Sequence, residues 1–367
     1  MHTRRSFATL GMGALASSCA TLDNFADGGA RLRLPKVNVT PERVIRVDVG
    51  LRPYRPPGFR VEREALGDKA LIHNYGHGGG GITLSWGTAA LAVDLGYDST
   101  KPDCAVIGCG AVGMATARLL QDRGAKVRIY ARDLPPNTTS NVAGAQWWPA
   151  SLYRESAATP QFLDQYHQAA AFAWRRYQTL VGDAYGVSWE MNINVSDRPI
   201  TDYPASADSP MHDFVVNQHD LAPGEHPFKQ RYVRTFDTMM IETPLYLRRM
   251  EADIREAGGE IVVREFHDAS EWQTLPERTI FNCSGLGAGV LAHDAAIEPV
   301  RGQLVILEPQ DEITYNLILG GGYYMFGRRD GIVLGGTFDH GNASLAPDPD
   351  VTARILRVHQ DFFASMR

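Results

Sequence analysis

The sequence predicts an α/β fold in which a Rossmann-like, doubly wound domain carries a second, sheet-rich domain inserted into it. Three observations predict it. The glycine cluster Gly108-Cys109-Gly110-Ala111-Val112-Gly113 lies between a strand (104–107) and a helix (114–123), and a second strand (126–130) follows at once. That is the βαβ opening of a doubly wound sheet. Further on, strand-like segments at 187–195, 237–242, 260–264 and 279–283 alternate with helical ones at 162–180, 244–257 and 352–366. With 367 residues, 44% hydrophobic and 21% charged, the chain can hold two domains or one large unit with an inserted sheet.

The first residues read as an address. Thr3-Arg4-Arg5-Ser6-Phe7 is a twin-arginine pattern ahead of a short, weakly apolar stretch at 8–18. Residues 1–20 are therefore expected to be an export signal read by the twin-arginine machinery, and the mature protein to be periplasmic. Cleavage near Ala20 and lipid attachment at Cys19 both stay open, since Cys19 lacks the usual leucine three residues before it. Residues 21–41 are polar and read as a linker. No internal apolar run approaches the roughly 18 residues of a spanning helix, and a net charge of −6 argues against nucleic acid and anionic membranes as partners. The four cysteines show neither a disulfide framework nor metal spacing, and Cys104, Cys109 and Cys283 read as buried free thiols.

The remaining elements follow in order. Residues 44–49 alternate as a strand, and Leu51-Arg52-Pro53-Tyr54-Arg55-Pro56-Pro57 is expected to leave it as a rigid turn. A short strand at 70–72 runs into a glycine-rich stretch, 88–95 is helical, and 96–102 links to the strand at 104. The glycine cluster makes a tight turn that turns backbone N–H groups and a helix start toward a pyrophosphate, a pattern shared by NAD, NADP and FAD proteins. The acid expected at the end of the second strand is replaced by Arg132, with Asp133 next. Residues 199–230 are loop-rich. An arm at 331–336 follows the turn Arg328-Arg329-Asp330-Gly331.

The stretch His73-Asn74-Tyr75-Gly76-His77-Gly78-Gly79-Gly80-Gly81-Ile82-Thr83 and the stretch Gly50-Leu51-Arg52-Pro53-Tyr54-Arg55 together carry a resemblance. With the glycine cluster, Val142-Ala143-Gly144, Asn282-Cys283-Ser284-Gly285, Arg301-Gly302-Gln303 and Leu334-Gly335-Gly336-Thr337, the chain resembles the D-amino-acid oxidase family. The resemblance implies a glutathione-reductase-type FAD-binding domain with an inserted mixed or antiparallel sheet that holds the substrate. In that family the first two stretches close the chain; here they come first, as in a circular permutation. Residues 42–96 would then be the normally C-terminal segment. Residues 103–150, 236–300 and 331–340 would form the FAD domain, 151–235 and 301–330 the substrate domain, and 341–367 the terminal helix region.

By the same resemblance Arg55 clamps the substrate carboxylate, Tyr324 meets it, and the Gly79 carbonyl accepts from the amine. FAD would be held by Gly108, Gly110, Val112 and Gly113, by Arg132 or Asp133, and by Thr138, Thr139, Ser140 and Gly144. Phe266, Ser284 and Gly285 would add contacts, as would Gly78, Gly81, Ile82 and Thr83. No side chain is expected to act as a catalytic base, because the family reaction moves a hydride from the substrate Cα to the flavin. His73 and His77 are read as structural hydrogen-bonders, and Tyr323 is expected on the sheet face opposite Tyr324. Leu317 stands where D-aspartate-selective relatives place an arginine, which favours neutral or apolar D-amino acids, with O2 as acceptor. A glycine- or sarcosine-type amine oxidase and a quinone-linked dehydrogenase remain alternatives, and a homodimer is left open.

Overall fold

The computed structural model describes residues 31–201, 203–206 and 209–367. The export signal, Cys19 and the first part of the expected linker lie outside them. The described chain opens with β1 (Val44–Tyr54), the hairpin β2 (Arg60–Leu66) and β3 (Lys69–Tyr75), then α1 (Gly81–Gly96). Next come β4 (Asp103–Ile107), α2 (Ala111–Asp122), β5 (Lys126–Ala131) and α3 (Pro160–Gln178). The middle holds β6 (Val187–Ser196), β7 (Val216–Leu221), β8 (Tyr232–Ile241), α4 (Thr243–Glu256), β9 (Glu260–Val263) and β10 (Thr279–Asn282). The chain continues through α5 (Ala288–Leu291), β11 (Glu298–Leu307), β12 (Tyr315–Gly320), β13 (Tyr323–Arg328) and β14 (Gly331–Gly335) to β15 (Asp339–His340) and α6 (Pro349–Ser365).

One six-stranded sheet has the order β2-β3-β10-β4-β5-β9. Its last five strands run parallel, and β2 is antiparallel to β3. β4 is buried from Cys104 to Ile107 and β10 throughout, as parallel strands covered on both faces require. Helices α1 and α2 lie side by side against it, their core running from Leu84, Trp86 and Val93 to Met114, Ala117 and Leu120. α3 starts where Thr159 accepts from the Phe162 amide with Pro160 at the first helical position.

The larger sheet has the order β1-β11-β14-β13-β12-β6-β8-β7, with β15 beside β11. Its back face buries Val305, Leu317, Met325 and Leu334 against Ile355 and Phe363 of α6 and Val37 and Val39 of the incoming segment. Its front face carries Leu304, Ile306, Phe326 and Val333 and looks onto the smaller sheet. The sequence grouped 236–241 and 331–340 with the nucleotide-binding domain; β8, β14 and β15 belong to this second sheet instead.

Four of the elements differ from the sequence expectation. β1 runs on through Pro53, because it is an edge strand and a missing N–H on its open side breaks no ladder bond. β2 and β7 went unread because Arg60–Leu66 and Val216–Leu221 are edge strands rich in exposed polar residues, without apolar alternation. α1 begins at Gly81, inside the glycine run, rather than at Thr88.

Candidate active site

A cavity of about 1260 Å3 opens between the two sheets, at the carboxyl ends of β3, β4, β5 and β10, where ligands of open α/β sheets bind. One wall is the β4–α2 turn. Gly108 has φ +111°, and a Cβ there would collide with the Cys283 carbonyl. Gly110 caps α2, and the Ala111 amide donates to Ser140 Oγ at 3.0 Å. Gly110 and Val112 line the cavity; Gly113 does not. A Cβ on Gly113 would strike the Gly108 carbonyl, so this glycine serves helix–strand packing and is corrected as a cofactor contact.

At the end of β5 both Arg132 and Asp133 line the cavity, joined to each other at 2.8 Å, with Glu265 3.7 Å from Arg132. Phe266 lines it nearby, under the Arg264 guanidinium. Thr138, Thr139, Ser140 and Gly144 form the facing loop, and Ser284 and Gly285 follow β10. Asn282 Oδ1 accepts from both the amide and the hydroxyl of Ser284.

The third wall is the glycine run after β3. Gly78, at φ +51°, and Gly79 lie against the Ser151 and Ala150 carbonyls, closely enough that a Cβ on either would collide with backbone. Gly78, Gly79, Gly81, Ile82 and Thr83 all line the cavity. The Thr83 hydroxyl donates to the Gly80 carbonyl at 3.2 Å. His77 is buried, bonds Thr88 Oγ1 at 2.9 Å and stacks on Phe59; burial pushes its pKa down to about 3. His73 sits between Asn282 and Glu64. Both are structural hydrogen-bonders in neutral form. Burial also pushes the Cys109 and Cys283 thiols up to about 12, which leaves them unreactive.

The fourth wall comes from the larger sheet, and here the expected clamp is corrected. Arg55 is absent from the cavity lining. It lies past the end of β1, with Nε 2.9 Å from Asp294 Oδ2 and Nη1 donating to the Gly58 carbonyl. Arg52, three residues earlier and still within β1, does line the cavity. Its Nη1 donates to the Thr337 carbonyl at 3.0 Å, and its guanidinium carbon lies 4.2 Å above the Phe338 ring. Among the described residues it has no ion-pair partner. Burial lowers its pKa, and the Tyr324 hydroxyl beside it opposes that shift.

Two glycines make room for this pair. Gly302, across the β1–β11 ladder beside Gly50, leaves space for the guanidinium, whose nitrogens would be 2.5 and 2.6 Å from a Cβ there. Gly335, opposite Tyr324 on β14, leaves space for the phenol ring, which stacks on Phe326 at 4.5 Å. Burial raises the Tyr324 pKa, so the hydroxyl stays protonated. Tyr323 turns to the back face, its ring 6.1 Å from His359. Leu317 is fully buried on that same back face, so it cannot mark substrate specificity; its neighbour Ile318 lines the cavity instead. In place of a lid loop, a turn of Gly320, Gly321 and Gly322, all at positive φ, joins β12 to β13. Gln146, Trp148, Tyr203 and Phe338 complete this end; none is among the site residues expected from sequence, although Gln146 and Phe338 follow the glycine motifs at 142–144 and 334–337.

A family model for FAD-dependent oxidoreductases matches the chain in two blocks, residues 23–95 and 103–367. The chain belongs to the D-amino-acid oxidase family. The D-amino-acid oxidase of Streptomyces coelicolor is 30% identical over 269 residues, covering 71% of this chain and 77% of the relative. Human D-aspartate oxidase is 30% identical over 265 residues, covering 69% of this chain and 73% of the relative. Among solved structures, glycine oxidase from Geobacillus kaustophilus superposes with a TM-score of 0.54 at 16% identity, over 71% of this chain and 77% of that one. That likeness shows the shared fold.

FAD is the cofactor of this D-amino-acid oxidase family chain, and the cavity fits it. α1 and α2 both begin at the cavity wall with glycines ahead of them, so their free N–H groups and dipoles face an anionic ligand. Gly79 and Gly108 form cradles that a side chain would fill. Asn74 Oδ1, buried at the wall, has no donor among the described residues and can accept from a bound group.

Proposed function

We propose that the chain catalyses FAD-dependent oxidative deamination of D-amino acids with neutral or apolar side chains, giving 2-oxo acid, ammonia and hydrogen peroxide. The observation that carries this reading is Arg52. A half-buried guanidinium with no ion-pair partner among the described residues, pinned by a carbonyl, an aromatic face and a neighbouring phenol, with Asp339 acting on it only at longer range, is the complement of a substrate carboxylate. Arg52 thus takes the role that the resemblance implied for Arg55, and Tyr324 shares it. The Gly79 carbonyl is assigned to the substrate amine.

FAD, when bound, supplies the two-electron oxidation of the substrate C–N bond. The amino acid gives up two electrons and two protons to become an imino acid. Water converts that to the 2-oxo acid and ammonia, and O2 takes the electrons and protons as hydrogen peroxide. No residue is assigned as base. His77, the imidazole closest to the glycine run, is neutral, buried and bonded to Thr88, which suits a wall and not a proton acceptor.

The side-chain preference rests on Trp148, Tyr203, Ile318 and Phe338, which bring no second cation to the Arg52 end. Arg132 and Arg264 sit at the β5 end, against Asp133 and Phe266, where the nucleotide half of FAD is assigned. The order of the motifs, with Gly50–Arg55 and the glycine run ahead of Gly108–Gly113, is what supports reading residues 42–96 as a permuted segment. A twin-arginine leader remains the proposed route to the periplasm, tested by whether residues 1–41 export a folded reporter in a strain that depends on that pathway.

The test of the reaction is anaerobic mixing of the yellow holoprotein with D-alanine, L-alanine, D-aspartate and sarcosine. Bleaching of the flavin band by D-alanine alone, with peroxide on admitting air, is the expected result. Bleaching by sarcosine instead would assign an amine oxidase. Bleaching without peroxide would move the acceptor to a quinone, and no bleaching where dithionite bleaches would refute the oxidase reading.

A further inference from the structure

The terminal helix α6 reaches the active-site strand through one side chain. His359 is fully buried. Its Nε2 lies 3.0 Å from the main-chain oxygen of Tyr324, and its Nδ1 lies 2.8 Å from the Ile355 oxygen. A neutral imidazole has one N–H to give. Ile355 stands four residues before His359 inside α6, so its carbonyl already takes the helical bond from the His359 amide. A bond from Nδ1–H would stay within α6, whereas a bond from Nε2–H to Tyr324 ties the helix to the strand. Burial depresses the imidazole pKa and keeps the ring neutral.

The strand needs such an anchor. β13 begins directly after three glycines at positive φ, and the β12–β13 register shifts between Ile318 and Gly320. A turn of glycines has no side chains to hold it and much backbone entropy to lose. Tyr324 is the second residue of the strand that follows. Its backbone is paired with Ile318 on one side and Gly335 on the other, and its ring rests on Gly335 and Phe326. The bond from His359, made on the opposite face of the same residue, adds a contact from α6 to this start of the strand.

We propose that His359 is a positioning residue: by donating Nε2–H to the Tyr324 carbonyl from behind the sheet, it sets where the Tyr324 hydroxyl stands beside Arg52. The inference rests on the reading that Arg52 and Tyr324 hold the substrate carboxylate. It concerns a residue that never touches substrate.

The experiment uses the full-length holoprotein and two readouts. The first is affinity for 2-methylpropanoate, an alanine analogue whose amine is replaced by a methyl group, measured by calorimetry, together with the half-saturating D-alanine concentration and limiting rate of anaerobic flavin reduction. His359→Phe, which keeps a ring but no donor, is expected to weaken both affinities about fivefold, the size of one misplaced hydrogen bond, with the limiting rate within about twofold. His359→Gln, whose amide can donate toward Tyr324, is expected to restore them. In a Tyr324→Phe background His359→Phe is expected to add nothing. Unchanged affinities, or effects that simply add in the double variant, would overturn the proposal.

The second readout needs no folded variant beyond His359→Gln for assignment. Ring-15N spectra of the wild-type protein are expected to show His359 neutral and protonated at Nε2; protonation at Nδ1 would overturn the proposal even if His359→Phe failed to fold. If the wild-type protein neither binds 2-methylpropanoate nor is reduced, the carboxylate reading of Arg52 and Tyr324 fails, and with it the role proposed for His359. A bound wild type with unaffected variants would refute His359 alone.

Discussion

Arg52→Ala removes the cation that faces the β13 end of the cavity, and Arg55→Ala removes its neighbour three residues on; the two are expected to fail in opposite ways. Truncating one partner of a desolvated, hydrogen-bonded charge pair costs about 2–5 kcal/mol. Arg52 is half-buried, so about 3–4 kcal/mol is the working value. At about 1.4 kcal/mol per tenfold this predicts a loss of roughly 10²- to 10³-fold in kcat/KM for D-alanine. The stability of the free protein should hardly change. The substitution gives up one bond to the Thr337 carbonyl and the contact with Phe338, while it also removes a partly desolvated charge that has no ion-pair partner among the described residues.

For Arg55 the ledger reverses. Its partner Asp294 has a side chain only 9% exposed, and that of Arg55 is 18% exposed. Although burial opposes it, the Ala296 amide, Arg55 and the Tyr75 hydroxyl hold the Asp294 carboxyl below its usual range. Removing Arg55 leaves that carboxylate with the amide and the hydroxyl alone. Breaking a fully buried pair costs about 3–5 kcal/mol; at this exposure about 2–3 kcal/mol is expected, a fall of several degrees in Tm. The assay pairs anaerobic flavin reduction with thermal unfolding for both variants. Loss of D-alanine affinity in Arg55→Ala at unchanged Tm, with Arg52→Ala near wild type, would refute the assignment.

Three further outcomes follow from named contacts. Gly302→Ala places a methyl 2.5–2.6 Å from the Arg52 guanidinium nitrogens; the flexible end of Arg52 must move, so KM should rise about tenfold while the melting curve stays put. Gly79→Ala meets the Ala150 backbone carbonyl instead, which cannot move cheaply, so both Tm and retention of FAD through gel filtration should fall. Glu190 has its pKa raised to about 7, chiefly by burial, against the Ser188 and Asn316 hydrogen bonds that lower it. A raised carboxyl pKa penalises the folded state only once the group ionises in the unfolded chain, so the penalty grows from about pH 4.5 to pH 7 and is constant above. At about 1.4 kcal/mol per unit it is at most about 3 kcal/mol, and less for a side chain that keeps some solvent. Glu190→Gln should therefore be more stable than wild type at pH 8 and equal near pH 4; a difference that does not vary with pH would refute this.

The nucleotide side of the site was legible because its chemistry is carried by backbone. Gly108, Gly78 and Gly79 are glycines for steric reasons that survive without any knowledge of the fold. On the substrate side the resemblance put the clamp at Arg55, and the prolines at 53, 56 and 57 suggested that the first strand ends near Val49, so strand alternation was not applied to the two arginines. Once β1 is seen to run to Tyr54, period-two alternation puts Arg52 on the face of Gly50 and leaves Arg55 beyond the strand. The same one-residue parity moved attention to Leu317, which faces α6, rather than Ile318, which faces the cavity. For Tyr323 and Tyr324, whose alternation was used, the two rings stand on the two faces as expected. Neither Gly302 nor Gly335 could be valued from sequence, since what each makes room for lies on another strand.

The proposed permutation makes physical sense in the same terms. β1 and β3 are neighbours in sequence yet enter different sheets, β1 at the edge beside β11 and β3 between β2 and β10. Their places are dictated by pairing partners, Gly50 with Gly302 and His73 with Asn282, and pairing does not depend on which loops join the strands. The incoming segment already lies on α6: Lys36 Nζ donates to the Met366 carbonyl at 2.5 Å, Gln360 Nε2 to the Val39 carbonyl at 3.1 Å, and the Tyr315 hydroxyl to the Pro35 carbonyl at 2.6 Å. In the order of the relatives the chain would pass from α6 into β1 across this short gap, whereas here six residues join α1 to β4. Exchanging one short surface connection for another changes loop-closure entropy only slightly. What it does change is the order of synthesis, so that the glycine run and Arg52 emerge before the strands of either sheet that they complete.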